Sequence, residues 1–518
     1  MAAQTVAHGS LLEAVWCANY SFPAGFKFGA ATAAAQVEGG WNVSDKSRSI
    51  WDEVIHAHPE RVVDGSNGDV ACDSYHLWKR DAQMAADLGL DFYRFSISWP
   101  RLLPSGFPNR ISEDGRRFYS NLIDELIRNH VEPVITLYHF DLPQALQYLG
   151  GWTNPLVSDW FGEYARVVFS LFGDRVKWWI TINEPLIMCE YVYNTGQSAP
   201  AVLSPGLGDL LCTKNALLAH AKAWRIYDTE FRDKYKGKIS ITNQIMWFEP
   251  LRAGDEEATR LVTEYATGLY THPIFSKEGG WPKSIEAIVA QKSKEEGYTK
   301  SRLPPFTADE VQLVKGTYDF FGFNYYTCRQ VSAAGAGEVV GAWPLAGSPD
   351  LHAKLLIDPK WNTTNFWFSA VPYGIRNVLK WIKSEYGNVE VYIAENGYLS
   401  TSKALHDPER VDYYKAHLEQ ILLAMYEDGV NVTGYTAWTL MDNFEWMDGY
   451  RSNFGLYAVD FIDPQRTRTP RSSAYYYAHV IRTRRLDVPL DYTPHTARAS
   501  SLQMSVILLV CAICLSKL

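Results

Sequence analysis

The sequence predicts an α/β fold, a single-domain (β/α)8 barrel with loop insertions over its C-terminal mouth. Three observations carry that prediction. Eight short strand-like runs alternate with amphipathic helical stretches over residues 21–492, the pattern of a parallel sheet, and eight is the number at which such a sheet closes. None of the runs is followed by a Gly-rich phosphate loop, which excludes doubly wound nucleotide binding. Two of the runs end in a glutamate, and the C-terminal ends of barrel strands are where such folds carry chemistry.

Taken in order, the runs are short, aromatic and β-branched, as buried strands are. The first is Phe26–Thr32. The second, Phe92–Trp99, follows a helical stretch from Tyr75 to Leu88, and the third, Pro133–His139, follows Gly115–Asn129. The fourth is Val176–Ile182, after Val157–Phe172; it delivers Asn183, Glu184 and Pro185. Taken alone, that triplet also reads as a turn whose glutamate faces water. The fifth run is Lys238–Trp247, after Asn215–Tyr235, and the sixth is Phe320–Tyr326. Glu390–Glu395 is the seventh, after Gly374–Glu385, and an Asn-Gly turn follows it. Val432–Leu440 is the eighth, after Arg410–Asp428, and a last helix over Ser472–Arg482 closes the chain's circuit. Insertions after strands one, four, five and six are expected to form loops over the mouth, the Gly/Ala-rich Ser332–Asp350 among them.

Composition narrows the function. The net charge of −9, with no basic stripe, argues against nucleic acid as a partner. Aromatic residues reach 14%, with 18 Trp and 31 Tyr; flat rings with a polar handle suit the apolar C–H faces of sugars as well as a core. Of the seven cysteines, no pair within the globular region has metal-ligand spacing, and nothing in the chain implies a metal or an organic cofactor. One disulfide is compatible with this set, in a connectivity that sequence does not reveal.

The ends read separately. Residues 1–20 resemble a poor leader segment, because Glu13 interrupts the apolar run and no basic stretch precedes it. Residues 493–518 combine a polar stretch with an apolar tail, Val506–Leu515, too short to span a bilayer. Small residues Ala499, Ser500 and Ser501 lie upstream, so a lipid-anchor signal and membrane attachment through this tail are one expectation; Ser516-Lys517-Leu518 is a peroxisomal address and a competing one. Asn19, Asn42, Asn362 and Asn431 begin glycosylation sequons, which favours a secreted, glycosylated chain. The oligomeric state is not readable.

Two glutamates at the mouths of different strands form a candidate carboxylate pair. Acetal hydrolysis needs one acid to protonate the leaving oxygen and one carboxylate to attack or stabilise the cationic carbon. The segments Thr181-Ile182-Asn183-Glu184-Pro185 and Ala394-Glu395-Asn396-Gly397 resemble the two signature motifs of the family 1 glycoside hydrolases, the β-glucosidase family. The resemblance runs from about Phe22 to Tyr492 and suggests an animal or insect-type β-glucosidase or a myrosinase-like member.

The resemblance implies Glu184 as acid/base and Glu395 as nucleophile of a retaining mechanism, with Arg94 and Tyr326 orienting the nucleophile. It further implies Gln36, His139, Asn183, Asn324, Glu445 and Trp446 as sugar-binding residues, Trp438 as the floor under the ring and Phe454 as a wall near the primary hydroxyl. Arg94 is expected to keep Glu395 ionised, and Glu184 to have a pKa raised by the second carboxylate and by partial burial. Asn243 is expected toward the leaving-group side. Phe140 departs from the Trp usual in the family, which removes an indole N–H, and Ala33-Ala34-Ala35 departs in size. The implied activity is release of terminal β-glucosyl residues, with galactosyl or fucosyl residues as related glycones, from a small glycoside or oligosaccharide. A thioglucosidase acting on glucosinolates is the alternative enzyme reading. A non-catalytic glycan- or receptor-binding barrel is the alternative of another class, disfavoured because both glutamates are kept.

Overall fold

The computed structural model describes residues 20–487. Eight strands close into a barrel: β1 (Lys27–Ala31), β2 (Phe92–Ser96), β3 (Glu132–Tyr138), β4 (Trp178–Asn183), β5 (Lys238–Gln244), β6 (Phe321–Asn324), β7 (Val391–Asn396) and β8 (Val432–Trp438). Each pairs in parallel with its chain neighbours, and β8 returns to β1 with Lys27 opposite Gly434 and Ala31 opposite Trp438. Parallel neighbours need a crossover between them. Helices over Ser74–Asp87, Glu113–Arg128, Val157–Phe172, Gly208–Ile226, Pro372–Tyr386, Pro408–Tyr426 and Ser472–Thr483 form the outer ring, with further ones between β5 and β6, Lys283–Glu295 among them. This is the predicted (β/α)8, or TIM, barrel.

The strands are buried on both faces, so they read as continuous apolar runs rather than alternating ones. Inside the barrel Phe92, Val134, Ile180, Phe320, Tyr392 and Ala394 pack together with Trp178. The ring centroids of Phe92 and Tyr392 are 5.6 Å apart, and those of Trp178 and Phe320 5.1 Å. This plug makes the barrel a filled core with a single usable mouth. It also requires Gly29 on β1, where a Cβ would sit 2.1 Å from the Phe92 ring.

The structure shifts several predicted bounds. The fifth run, expected through Trp247, breaks after Gln244. Ile245 donates its N–H to the Asn324 carbonyl, and Trp247–Pro250 leaves the barrel to pair with Cys328–Ala333 in a four-stranded sheet above the mouth. The second run stops at Ser96, because Trp99–Leu102 forms a helical turn with Pro100 in its first turn. The sixth stops at Asn324, and the eighth at Trp438. The expected insertions are present after β1, β4, β5 and β6. A further one, residues 439–471, follows β8 and contains the antiparallel pair Tyr457–Val459 and Arg468–Pro470.

Cys189 and Cys212 form a disulfide, and Cys72 and Cys328 are free and buried. The leader segment, Cys17, Asn19, Cys511, Cys514, the apolar tail and the Ser-Lys-Leu terminus lie outside the described residues. Among the described residues no helix is long and apolar enough to cross a membrane.

Candidate active site

Glu184 follows β4 directly. Its N–H donates to the Thr242 carbonyl on β5 at 2.8 Å, and its φ is +47°, a left-handed conformation rare for a residue with a Cβ. Non-glycine residues are held there only when their surroundings over-determine them. Here the barrel register does so on one side, and on the other the helical chain through Pro185 and the π turn Ile187–Tyr191, with Met188 N–H bonding back to the Glu184 carbonyl. Glu395 lies within β7, and the carbonyl of Glu395 accepts from Tyr325 N–H at 3.0 Å. Gly397, two residues on, passes so close to the Trp438 carbonyl that a Cβ there would lie 1.8 Å from its oxygen.

The two carboxyls have unequal partners. Arg94, on β2, donates Nη1–H to Glu395 Oε1 at 2.7 Å and to the Ala394 carbonyl at 2.8 Å, while Tyr326 donates its hydroxyl to Glu395 Oε2 at 2.9 Å. Glu184 receives the Asn324 amide at 2.9 Å. Burial pushes the Glu184 pKa up to about 8; the charge of Glu395 adds to this, and Asn324 and Arg94 pull the other way. Burial, rather than the second carboxylate, is thus the larger cause. Burial raises Glu395 as well, against the pull of Arg94 and Tyr326. A cation and a phenol hydroxyl favour the ionised form of Glu395, so the pair's shared proton rests on Glu184.

A hydrogen-bonded layer lies behind the carboxyls. Asn183 Oδ1 accepts from Arg94 Nη2 at 2.8 Å and from Asn324 Nδ2 at 3.1 Å, which fixes its amide orientation. Its Nδ2 then donates to His139 Nε2 at 3.1 Å. His139 is buried and held neutral, first by burial and then by Arg94, so its single ring proton sits on Nδ1, which has no protein partner. Gln36 donates to Asn443 Oδ1, the Phe444 carbonyl and Glu445 Oε2 at 3.1–3.2 Å, leaving its Oε1 without a protein partner.

The mouth opens into a cavity of about 450 Å³. His139, Glu184, Tyr326, Glu395, Trp438, Glu445, Trp446 and Phe454 line it; Gln36, Arg94, Asn183 and Asn324 stand one layer behind, reached through the bonds above. The aromatic rings form its walls. Trp438 and Trp446 lie near-parallel to His139 at 5.6 and 6.1 Å, and Phe454 packs edge-on against Tyr326 at 5.9 Å. Phe140, at φ +72°, packs on Trp446 at 5.4 Å. Burial raises Glu445 to about 8, with Asp448 next in effect.

Several residues of the site carry no sequence signal, most of them because the insertions between barrel elements deliver them. Trp51 sits on the helix Ile50–Ala57, whose Ser49 and Asp52 form a capping box, and packs on Trp446 at 4.6 Å. Met188, Tyr191, Gln244, Met246, Leu345, Phe366 and Trp367 line the outer cleft. Asn243 is buried beside Gln244, and neither end of its amide has a protein partner. Two buried ion pairs support the binding loops. Arg101 and Tyr119 hold Glu38 at 2.7 and 2.6 Å beneath the Gln36 loop. Arg471 clasps Asp442 with two N–H groups at 2.9 and 2.7 Å beneath the segment carrying Asn443, Glu445 and Trp446.

Two carboxyls facing one aromatic-walled cavity at the C-terminal end of a filled barrel define the class: a barrel hydrolase that cleaves glycosides. The comparisons agree. A family model described as glycosyl hydrolase family 1 matches residues 18–486, and the chain belongs to that family. It is 46% identical over 471 residues to Myrosinase 1 of Brevicoryne brassicae, covering 90% of this chain and 99% of the relative. It is 42% identical to the cytosolic β-glucosidase of Homo sapiens, covering 91% of this chain and 100% of the relative. The solved aphid myrosinase superposes with a TM-score of 0.86 over 90% of this chain and all of that one, at 46% identity. A Thermotoga maritima β-glucosidase in complex with castanospermine gives 0.80 at 36% identity over 90% of this chain and all of that one. The protein is therefore a glycosyl hydrolase, and the reading of a binding-only barrel falls.

Proposed function

We propose that the enzyme is a retaining β-glycosidase that removes terminal β-D-glucosyl residues, with Glu395 as nucleophile and Glu184 as acid/base. The observation that carries this is the inequality of the two carboxyls: Arg94 and Tyr326 bind Glu395 as an anion, while burial keeps the proton on Glu184. Glu395 attacks the anomeric carbon as Glu184 protonates the departing oxygen. Once the glycosyl ester forms, the Glu395 charge is gone, the Glu184 pKa falls, and Glu184 takes a proton from the incoming water. Gln36, His139, Asn183, Glu445 and Trp446 are assigned to the sugar hydroxyls, Trp438 to the ring face and Phe454 to the region of the primary hydroxyl. Incubation with a 2-deoxy-2-fluoro-β-glucoside bearing a good leaving group tests the assignment. Mass spectrometry of the digest is expected to find the adduct on Glu395, and NMR of normal turnover to find the β-anomer first. An adduct on another residue, or the α-anomer first, would overturn it.

The outer cleft favours an uncharged, apolar aglycone. Ile50, Val63, Ile187, Met188, Met246 and Phe366 supply much of its lining. Arg61, the basic residue of the lining, already donates its Nη1–H to the Gly196 and Gln197 carbonyls. We also propose the secretory route for the chain. The Cys189–Cys212 disulfide belongs to an oxidising compartment, and the sequon residues Asn42, Asn362 and Asn431 are exposed.

A further inference from the structure

A second, smaller cavity of about 30 Å³ lies behind the wall of the site. Trp51 and Trp446 line both spaces, and their ring centroids are 4.6 Å apart. The ionisable side chains around the small cavity are paired, with one exception. Arg101 donates Nε–H to Glu38 at 2.7 Å, Lys46 binds Asp52 at 2.8 Å and His56 meets Asp69 at 2.7 Å. The exception is Asp141, two residues after His139 and 1% exposed. Neither of its carboxyl oxygens has a hydrogen-bond partner among the described residues.

Lys46 has no donor to spare for it, because its other N–H groups go to the Trp41 and Ser47 carbonyls at 3.2 and 3.3 Å. Arg101 does. Its Nε and Nη2 serve Glu38 and the Gly39 carbonyl, while its Nη1, on an equally buried side chain, has no partner among the described residues.

Left so, both groups would forfeit their hydration with nothing in return, which is costly for any buried polar atom. Burial, with the charge of Glu38 adding to it, pushes the Asp141 pKa well above the usual carboxylate range, while Ser98 and Lys46 act the other way. One small molecule meets both needs. Water donates to a carboxyl oxygen and accepts from a guanidinium N–H at once. A buried water needs roughly 10–15 Å³ and about two to four polar partners, so the cavity has room for one or two.

The place of such a bridge gives it a role. Arg101 stands on the helical turn after β2 and grips the loop after β1 through Glu38 and Gly39, just beyond Gln36. Asp141 belongs to the loop after β3 that begins with His139. The next residue of that loop is tied to the Trp51 helix, whose Ile50 N–H donates to the Leu142 carbonyl at 2.9 Å. Phe140, between His139 and Asp141, packs on Trp446 at 5.4 Å. We propose that ordered water in the second cavity bridges the Asp141 carboxyl to Arg101 Nη1, which makes Asp141 a positioning residue: it joins the loops after β1, β2 and β3 and fixes the Trp51–Trp446 wall of the sugar site. The inference rests on the assignment of Trp446 to the sugar.

A high-resolution crystal structure of the full-length wild type tests the bridge directly. Ordered water within hydrogen-bonding distance of both Asp141 and Arg101 Nη1 is expected. Direct contact between the two side chains, a metal ion between them or a dry cavity overturns it. Two variants test the role. Asp141→Asn keeps an acceptor for the water, whereas Asp141→Leu fills the space with methyl groups and excludes it. Glucose has no aglycone, so its inhibition constant against a nitrophenyl β-glucoside reports the sugar site alone. Asp141→Leu is expected to weaken glucose binding several-fold with kcat changed less, and its crystal structure to show Trp446 displaced. Asp141→Asn should keep the water, the wall and the wild-type affinity. An Asp141→Leu enzyme that binds glucose as the wild type does, or whose Trp446 has not moved, overturns the positioning role. Where that variant fails to fold, Asp141→Asn decides: lost glucose affinity in an enzyme that keeps the water sinks the idea. Should glucose not bind the wild type, the sugar assignment fails, while the crystal structures still judge the bridge and the wall.

Discussion

Glu184 concentrates the chemistry of the site in one residue with a left-handed backbone, a buried carboxyl and a single amide donor. An acid with a raised pKa is active in its protonated form, so kcat/KM should hold at neutral pH and fall as pH rises through about 8. A pH–rate profile checks this, and a decline that begins only well into the alkaline range would contradict it. Glu184→Gln removes the proton donor while keeping the Asn324 contact. General-acid catalysis contributes roughly 10²–10⁴-fold, so a loss of that order is expected on alkyl glucosides and a much smaller one on nitrophenyl glucosides, whose leaving group departs unprotonated. Equal losses on both would remove Glu184 from the acid role.

Elements hold these residues in place, and most of that work is done out of sight of the motifs. The insertion after β8 carries Asn443, Glu445, Trp446 and Phe454, and its root is the buried Asp442–Arg471 pair, with Asp442 Oδ1 also accepting Gly455 N–H at 3.1 Å. Removing one partner of such a pair leaves an uncompensated buried charge, which costs about 3–5 kcal/mol. Asp442→Ala should therefore destabilise the fold by that order in denaturant unfolding; a cost below about 1 kcal/mol, as exposed pairs show, would mean that the pair does not anchor the loop. The strand misread at Trp247 belongs to this scale too. Local propensity continues through Ile245 and Met246, and the break appears only because Asn324 and Cys328 offer pairing partners in two different sheets.

At the scale of the whole molecule, buried acids set the response to pH. Burial raises Glu184, Glu190 and Glu445 from 4.5 to about 8. Between those values the folded chain binds protons that the unfolded chain has released, so the contribution of these groups to stability is fully present below about pH 4.5 and is lost as pH rises towards 8. Replacing Glu184 by Gln should consequently raise Tm at pH 8 and leave it nearly unchanged at pH 5. A Tm that moves equally at both values would show that the carboxyl is not held neutral by the fold. The same comparison sets the stability cost of the site against its activity, since active-site groups are commonly strained or poorly solvated.

The barrel was legible along the chain because a strand buried on both faces must be apolar throughout, and because an apolar run that ends in Asn-Glu-Pro or Glu-Asn-Gly marks its own C-terminal mouth. The placement of Glu184 and Glu395 follows from that alone. What the linear order does not contain is the third dimension of the site. Trp51, Phe366, Trp367 and Leu345 come from insertions with no shared period or spacing, and Cys189 meets Cys212 at a sequence separation of 23. The Glu184 pKa was expected to be raised by its carboxylate neighbour and by partial burial; both act, burial is the larger cause, and burial is a property of everything packed around a group. The eight strands, their order and the two carboxylates at their ends can be read along the chain, since these depend on local patterns of side chains. Which loops wall the cleft and how strongly each acid is desolvated come from the packing, because contacts and desolvation arise between residues far apart in the chain.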